Sequence, residues 1–583
     1  MLEFKRFKAI WFRAFYRLRS LPRVESRLLR LGAMTVIGAI LLAPSIWMLS
    51  VVPPLWRDAD AYIQVTGPPG PVTILHWGPL YCFVARIPLY LGYAIDSLKA
   101  GAPFPTPVFF LHPTLSNLGV FMLLLSQHVA LWCSVFYFIA STSRLLLARF
   151  VLAVVWAANP LFYTFAHCVG TETLSVILLV LLAAIGLRIV RHRRMVPRKE
   201  WVLFGTLLWL SVLTRPINAM LAALMPLTFL FLSAYRLIPI LLPRSQLLGR
   251  WQRIRAKLDL QKAIVAIAVG ISCIILANAS VRALCTAIRM PYHSTVGFAF
   301  LWRLKFLATI PPKTRNQLLD KVAKNTASPD VQKAIRVMNE AISKAPNWNV
   351  KAFVTQVQVS VFPREAGWQE ERYSLLLRGV MQAFLCPPKK VFLRAVAADF
   401  KRSRETSIAS VVEQPFISTA MCFRQLEGMP AYASLHTFRD RTAAQIMTIF
   451  ENHSYIHRPK SFSYNVFLFF WFANFSLLAL LAKVRKEQVA AVCSYAAALT
   501  LAGLVMMLAN CFLAEFYPRY TLPMWELTIL SLAVLFGKTI ELCFPRTRIT
   551  GRRSDHQYHL SLRQTNGLGA KAREEAQGNA LKS

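Results

Sequence analysis

Charged side chains are scarce in this sequence: they make up 16% of its 583 residues, whereas hydrophobic residues make up 56%. A soluble globular protein carries about 25% charged residues, so the composition excludes that class and indicates a multi-pass membrane protein. The ten cysteines form no Cys-x-x-Cys pair and show no metal-ligand spacing, which leaves a zinc site or a redox motif unsupported. The more polar stretch 291–462 contains no Gly-rich phosphate loop and no nucleophile elbow.

Apolar runs long enough to cross a bilayer recur along the chain. We count ten of them, at about 33–52, 115–140, 148–166, 172–190, 201–219, 219–236, 263–285, 463–482, 489–512 and 520–541. The fifth and sixth share one apolar block, which is broken at Arg215-Pro216. The expected fold is therefore an all-α polytopic membrane protein with about ten transmembrane helices and a helical extracytoplasmic domain.

Lysine and arginine set the predicted orientation. The formal net charge is +40, and the short basic segments fall on alternate connections between the apolar runs. Under the positive-inside rule these segments and both termini face the cytoplasm. The loop 53–114 and the segment 291–462 then lie on the opposite side, which we expect to be the periplasm of a bacterial inner membrane rather than the lumen of an endoplasmic reticulum. No nucleic-acid-binding module accompanies the charge, so anionic membrane lipids are the expected partner.

The same patterns divide the chain into five parts. They are an interfacial N-terminal segment, a core of about seven transmembrane helices, a helical extracytoplasmic domain, three further transmembrane helices and a basic tail: 1–30, 31–290, 291–462, 463–541 and 542–583. The tail is poor in aromatic residues, which is typical of disorder. Cys386 and Cys422 both fall in the extracytoplasmic domain, where an oxidising compartment would allow a disulfide between them.

The run Trp-Arg-Asp-Ala-Asp-Ala-Tyr at 56–62 follows the first apolar stretch. Two carboxylates at a membrane boundary cost free energy unless they are used, and a carboxylate there is a candidate general base for an acceptor hydroxyl. On a helix, Asp58 and Tyr62 would share a face because they are four residues apart, whereas Asp60 would point away. Two solvated loop carboxylates are the alternative interpretation.

Further polar residues stand at the outer ends of predicted helices, so the predicted orientation brings them to one side of the membrane. Those with candidate roles are His76, Trp77, Tyr81, Arg86, His167, Glu172, Arg215, Tyr517, Arg519 and Tyr520. Each also has an ordinary structural explanation. Glu172 suits the dipole of a helix N-terminus, Arg215 could snorkel to a headgroup, and Arg519 with its tyrosines could form an interfacial belt.

Taken in order, these elements resemble the polyprenyl-phosphate-dependent glycosyltransferases of the GT-C superfamily. The branch they resemble includes the protein O-mannosyltransferases and the lipid A aminoarabinose transferases. The matching elements are Asp58 with Tyr62, Pro79-Leu80-Tyr81, Asn159-Pro160, Thr171-Glu172, Leu213-Thr214-Arg215-Pro216 and Arg519-Tyr520-Thr521-Leu522-Pro523. They cover about 30–290 and 463–541. Ala59 separates two acids that are adjacent in that branch, which leaves open whether Asp58 or Asp60 is the base.

The resemblance implies an inverting transfer of a sugar from a polyprenyl-phosphate donor to a glycan, lipid or protein acceptor. Asp58 is the expected general base, Arg215 and Arg519 are the expected phosphate contacts, Arg86 is a weaker one, and Glu172 orients the donor sugar or a cation. The expected substrate contacts are Tyr62, His76, Trp77, Tyr81, His167, Tyr517 and Tyr520. No cofactor is required, although Asp58 and Asp60 would be the ligands of a divalent cation, Mg²⁺ or Mn²⁺, if one binds.

Two other classes of protein stay open. A transporter or flippase of lipid-linked envelope precursors would also carry charges in the membrane, but it predicts an inverted hydropathy repeat and helices broken at the midplane. Neither pattern is found in the sequence. A non-catalytic subunit of an envelope assembly complex is the third class, and such a subunit would tolerate the loss of Asp58.

Overall fold

A computed structural model describes residues 27–57, 59–101, 104–237, 246–344, 360, 370–426, 443–457, 463–481, 486–514 and 516–544. Asp58, nearly all of the predicted interfacial segment and nearly all of the predicted tail therefore lie outside the described residues. The side chains of Asp60, Tyr62 and Cys422 lie outside them as well.

Helices dominate the described residues, which confirms the predicted all-α class. The helices are α1 (Arg27–Val51), α2 (Ala59–Thr66), α3 (Pro79–Lys99), α4 (Asn117–Thr142), α5 (Leu146–Ala157), α6 (Pro160–Ala166), α7 (Thr171–Arg191), α8 (Arg198–Thr214), α9 (Leu224–Leu237), α10 (Gln246–Ala287), α11 (Val296–Arg303), α12 (Pro312–Lys324), α13 (Pro329–Lys344), α14 (Glu370–Leu385), α15 (Lys390–Glu405), α16 (Ile408–Leu426), α17 (Ala443–Asn452), α18 (Ser454–His457), α19 (Tyr464–Leu481), α20 (Lys486–Leu513) and α21 (Leu522–Cys543). Two short strands, β1 (Leu55–Trp56) and β2 (Cys168–Val169), form the single sheet found among the described residues.

Each of the ten predicted membrane runs is helical. Six helical segments of the described residues are long and apolar enough to cross a membrane, namely Arg30–Val51, Asn117–Thr142, Thr171–Arg191, Pro216–Leu237, Arg253–Ala287 and Val489–Leu513. A seventh span results if α5 and α6, which are bent by 63° at the break between them, count as one. The other three predicted runs correspond to α8, α19 and α21.

Helix α7 lies at the centre of the membrane bundle. It packs against α4, α8 and α20, and its residues are buried on all sides. A helix that is apolar all round belongs in the interior of a bundle. Its polar residues are confined to the ends: Glu172 lies in the first turn, and Arg188 and Arg191 lie in the last. α7 therefore places an acidic side chain at one end of the bundle and two basic side chains at the other.

The helices between Val296 and His457 cover one end of this bundle. In α13 the apolar residues Val331, Ile335, Met338 and Ile342 are all buried, as their helical spacing predicts. α11 and α15 pack against α20, and α16 packs against β1, α6 and the short turn Pro518–Thr521. Cys386 has a free, exposed thiol. The side chain of Cys422 lies outside the described residues, so the disulfide between the two cysteines stays a prediction.

Candidate functional site

The strands β1 and β2, of two residues each, join the segment after α1 to the start of α7. β1 pairs in parallel with β2, with Trp56 opposite Val169. The backbone N–H of Arg57 donates to the carbonyl of Val169 at 3.2 Å, which extends the ladder by one residue. Thr419 of α16 holds the same strand from the other side, because its hydroxyl accepts the backbone N–H of Trp56 at 2.8 Å. Arg57 is thereby brought beside Gly170 and the first turn of α7.

Arg57 is buried although it is charged, with 2% of its surface exposed. Its guanidinium lies 3.8 Å from the centre of the Trp77 ring, a cation–π contact. Its Nη1 donates to the Thr171 hydroxyl at 3.3 Å and lies 3.7 Å from Oε2 of Glu172. A Cβ at Gly170 would lie 2.9 Å from the Cβ of Arg57, so this close approach requires glycine. These contacts compensate the removal of the cation from water.

Two more arginines reach the same place. Pro216 disfavours helical backbone at the residue before it, so α8 ends and Arg215 adopts an extended conformation. The Nη1 of Arg215 lies 3.8 Å from Oε1 of Glu172, whose other oxygen faces Arg57. Arg519, in the turn before α21, donates from Nη1 to the backbone carbonyl of Arg57 at 3.2 Å. Three guanidinium groups therefore surround the junction of the first outer loop and α7, with Glu172 between two of them.

The start of α3 is fastened to the end of α8. Gly78 has φ +90°, and a Cβ there would lie 2.5 Å from the carbonyl oxygen of Leu213. Both the left-handed backbone and the close approach require glycine at this position. Three residues further, the Tyr81 hydroxyl donates to Oε1 of Gln127 at 2.9 Å and accepts the backbone N–H of Gly170 at 3.0 Å. Tyr81 thus links α3 and α4 to the arginine cluster.

Aromatic side chains form the rim of the cluster. His76 makes edge contacts with Trp77 and with Phe298 of α11, with ring centres 4.6 and 5.1 Å apart. Tyr517 and Tyr520 flank Arg519, whose guanidinium lies 5.7 and 5.4 Å from their ring centres. The predicted substrate contacts for which side chains are described therefore lie around the same arginines, with His167 set deeper.

His167 belongs to a buried chain of hydrogen bonds. Its Nε2 donates to the carbonyl of Val52 at 2.8 Å, which leaves Nδ1 to accept from His128 Nε2 at 3.1 Å. The second ring nitrogen of His128 bonds the Ser45 hydroxyl at 3.0 Å. The neutral imidazole joins α1, α4 and β2 behind the outer loop.

Arg86 is placed differently from the other two predicted phosphate contacts. It is fully buried, and its terminal amino groups donate to the carbonyls of Phe110, of Gln64 at 3.3 Å and of Gly67 at 2.6 Å. Because it donates to three backbone carbonyls, Arg86 holds the segments before and after α3 in place. Its role as a phosphate contact stays a prediction.

Several residues of this region are not predicted by the sequence patterns. Arg57 lies within the acidic run at 56–62, and Gln127 and His128 are polar residues within an apolar span. Glu526 of α21 is 1% exposed, its Oε1 has no hydrogen-bond partner among the described residues, and Arg215 interacts with it electrostatically. An ionisable residue within a membrane helix is a functional candidate by default, so the sequence contained a signal for Glu526.

A cation site cannot be built from the side chains that the structure describes, because they include no group of three His, Cys, Asp or Glu residues able to hold a metal ion. Asp58 and the side chain of Asp60 are not among them, so a divalent cation at these two acids stays a prediction.

No protein-family model and no curated protein sequence matches the chain. Among solved structures, the apo oligosaccharyltransferase of Archaeoglobus fulgidus matches 91% of this chain and 54% of its own, at 13% identity and a TM-score of 0.38. The archaeal oligosaccharyltransferase AglB from Archaeoglobus fulgidus, in complex with an inhibitory peptide and a dolichol-phosphate, matches 92% of this chain and 54% of its own, at 12% identity and a TM-score of 0.35. AglB is a GT-C superfamily enzyme. The chain spans about half the length of the solved structures that it matches.

Proposed function

We propose that the protein is an integral membrane glycosyltransferase of the GT-C type. It moves a sugar from a polyprenyl-phosphate donor to a glycan, lipid or protein acceptor on the extracytoplasmic side. The observation that carries this proposal is the convergence of Arg57, Arg215 and Arg519 at one end of the membrane bundle, beside the run that contains Asp58.

Arginine is the side chain best suited to the phosphate of such a donor. Its planar guanidinium matches phosphate oxygens and stays charged beside lipid. The Arg215 side chain is 11% exposed and Arg519 is partly buried, so both can meet a ligand from the surface. Arg57, which is 2% exposed, acts as a positioning residue. Its carbonyl fixes Arg519, and its guanidinium, with that of Arg215, fixes Glu172.

The reaction then needs one base. Asp58 takes the proton of the acceptor hydroxyl, and the oxygen attacks the anomeric carbon with inversion. The bond from that carbon to the phosphate oxygen breaks, and polyprenyl phosphate leaves with the electron pair. The arginine cluster stabilises the charge that develops on the phosphate. Such general-base help is worth about 10²- to 10⁴-fold in rate. Asp60 is the alternative base, and a cation held by the two acids would add to the charge stabilisation.

Glu172 has a clear electrostatic role in this scheme. It is 2% exposed and lies between Arg57 and Arg215, at 3.7 and 3.8 Å from their nearest amino groups. A buried carboxylate in that position keeps two guanidiniums together that would otherwise repel each other. We propose that Glu172 orients the arginines and the donor sugar.

Envelope glycans test the proposal. Mass spectrometry compares cells that lack the protein with cells restored by the wild type, Asp58→Asn or Asp60→Asn at equal protein level. A sugar that returns with the wild type and with Asp60→Asn, but not with Asp58→Asn, supports the transferase and identifies the sugar. Equal restoration by Asp58→Asn overturns Asp58 as the base.

A transporter gives a different result in a second assay. Purified protein in vesicles receives the lipid-linked sugar that the glycan comparison identifies, with its acceptor. A transferase releases free polyprenyl phosphate and glycosylated acceptor, whereas a flippase moves the intact lipid from one leaflet to the other. Movement without cleavage would replace the proposal by the transporter class.

A further inference from the structure

The surface of α3 is unusual for a helix in an aqueous loop. Before Lys99, every exposed residue of α3 is aliphatic, and the set is Val84, Ile87, Leu91, Ile95 and Leu98. Their spacing of three and four residues forms one continuous stripe along the helix. Ile87 is 53% exposed and Leu91 is 48% exposed. A solvated helix face would be polar instead, and a stripe of this length marks a contact with another apolar phase.

Helix α3 lies along α4, which is one of the membrane-crossing helices. A Cβ at Gly92 would lie 2.3 Å from the Cα of Gly119, so the two backbones touch near the start of α4. At the other end of α3, Tyr81 bonds Gln127, which lies deeper in α4. The two helices are therefore antiparallel, and α3 runs from inside the bundle towards its surface.

The length of α4 gives the depth of these contacts. Its 26 residues span about 39 Å, against about 30 Å for the hydrocarbon core. A centred α4 thus enters the hydrocarbon roughly three residues after Asn117, near Val120. Gln127 lies about 10 Å further in, and Tyr81 with it. The part of α3 below Gly92 then lies at the depth of acyl chains, and Lys99 lies outside.

The neighbouring surfaces continue the stripe. α4 exposes Phe121, Leu125 and Val129 along its own length, as a lipid-facing helix does. The single charged side chain in the first half of α3 is Arg86, and it is buried on backbone carbonyls rather than exposed. No exposed charge therefore interrupts the apolar surface between the start of α3 and Gly92, and Asp96, the acidic residue beyond it, is partly buried.

We infer that α3 is inserted part-way into the bilayer and that the part of its aliphatic stripe below Gly92, at Val84, Ile87 and Leu91, contacts the acyl chains of membrane phospholipids. The chain then lies within the bilayer at Tyr81 and leaves it along α3. The arginine cluster is reached at that depth, below the plane of the headgroups. The inference depends on the register of α3 against α4, and it holds for either orientation of the chain and whether or not the protein is a transferase.

Thiol accessibility in vesicles tests the inference. Full-length Ile87→Cys and Leu91→Cys proteins are reconstituted in phospholipid vesicles, with a charged maleimide loaded on both sides by freeze–thaw. Labelling of each cysteine is read by mass spectrometry of its peptide. Native Cys386 is an exposed internal standard for water, and native Cys133, exposed on α4, is the standard for lipid. Lys99→Cys is the matched control at the end of the same helix.

We expect Ile87→Cys and Leu91→Cys to react on the order of 10- to 100-fold more slowly than Cys386, because a charged reagent is excluded from hydrocarbon. Lys99→Cys should react at nearly the rate of Cys386. Buried native Cys82 stays unlabelled in a folded protein, so its labelling identifies a variant that has unfolded. Labelling of the variants at positions 87 and 91 at the rate of Cys386 would place the stripe in water and overturn the inference.

Slow labelling alone would also result from a protein that covers the stripe. The same vesicles are therefore prepared with phospholipids that carry a photoreactive diazirine on the acyl chain. Crosslinking of wild-type α3 peptides to these lipids, at a yield close to that of the exposed α4 peptide, supports lipid contact. Slow labelling without lipid crosslinking would show a protein partner or a second copy on the stripe, and would refute contact with lipid.

Discussion

The two ends of α7 hold their charges in different ways. At the end that begins with Thr171, called the outer end after its predicted side of the membrane, Glu172 lies 3.7 Å from Arg57 and 3.8 Å from Arg215. At the opposite end Arg188 forms direct hydrogen bonds to Glu200 and to the Tyr137 hydroxyl. These hydrogen bonds tie α7 to its neighbours. Under the proposed function, the arginines of the other end bind a phosphate, and Glu172 keeps Arg57 and Arg215 together there.

A second cluster supports the structural interpretation of the opposite end. Asp259 of α10 is 1% exposed and lies 3.0 Å from Arg236 of α9 and 3.9 Å from Lys262. Lys262 also donates to the carbonyl of His192 just after α7, at 2.8 Å. Asp259 therefore links α10 to α9, and Lys262 links α10 to the end of α7. The comparison predicts that charge changes there alter stability, whereas charge changes at the outer end alter activity.

The largest expected effect is on stability and comes from Asp259→Asn. Loss of this carboxylate leaves Arg236 and Lys262 close together without their counter-charge. Removal of one partner from a buried ion pair costs about 3–5 kcal/mol, which thermal unfolding of the purified protein should detect. Asp320→Asn, the same change at an exposed site of α12, should shift stability by less than about 0.5 kcal/mol. Equal melting temperatures for the two variants would contradict the structural role.

Arg215→Gln is the corresponding test of the outer end. We expect a loss of about 10- to 100-fold in kcat/KM, since hydrogen bonds to charged groups are worth roughly 1.5–3 kcal/mol. The rate is measured with the donor that the glycan comparison identifies. The matched control is Arg236→Gln, which should lower the melting temperature but leave the rate per folded molecule unchanged. If both variants lose stability and keep their rate, the outer arginines are structural and the comparison fails.

The sequence predicted the outer end in outline. The alternation of apolar runs and basic segments was enough to bring Glu172, Arg215 and Arg519 to one side, because helix ends follow from hydropathy and Pro216 ends α8. The helix types and the spacing in α13 were predicted for the same reason. The catalytic roles of Asp58 and Asp60, on which the predicted chemistry depends most, remain predictions.

Other features needed the folded structure. The ladder that brings Arg57 to α7 has two residues in each strand, too few to leave a pattern in the sequence. The contact of α3 with α4 depends on two glycines that meet across the interface, Gly92 and Gly119. The contacts of Arg86 could not be predicted from the sequence either, because residue type alone does not distinguish a phosphate contact from an arginine that binds carbonyls. Pairings between distant segments are set by packing, which periodicity does not encode.

The smallest effect expected at the outer end comes from Gly170→Ala. A methyl group there would lie 2.9 Å from the Cβ of Arg57 and 3.1 Å from Oε2 of Glu172, so the ladder and the carboxylate must move apart slightly. A shift of a few tenths of an ångström should cost about 1 kcal/mol in a packed site and lower kcat/KM by about two- to tenfold. Gly32→Ala in α1 adds the same methyl group with nothing within 4 Å, and should leave the rate unchanged because alanine is a better helix former. A Gly170→Ala protein as active as Gly32→Ala would mean that the distance between Arg57 and Glu172 does not matter to the reaction.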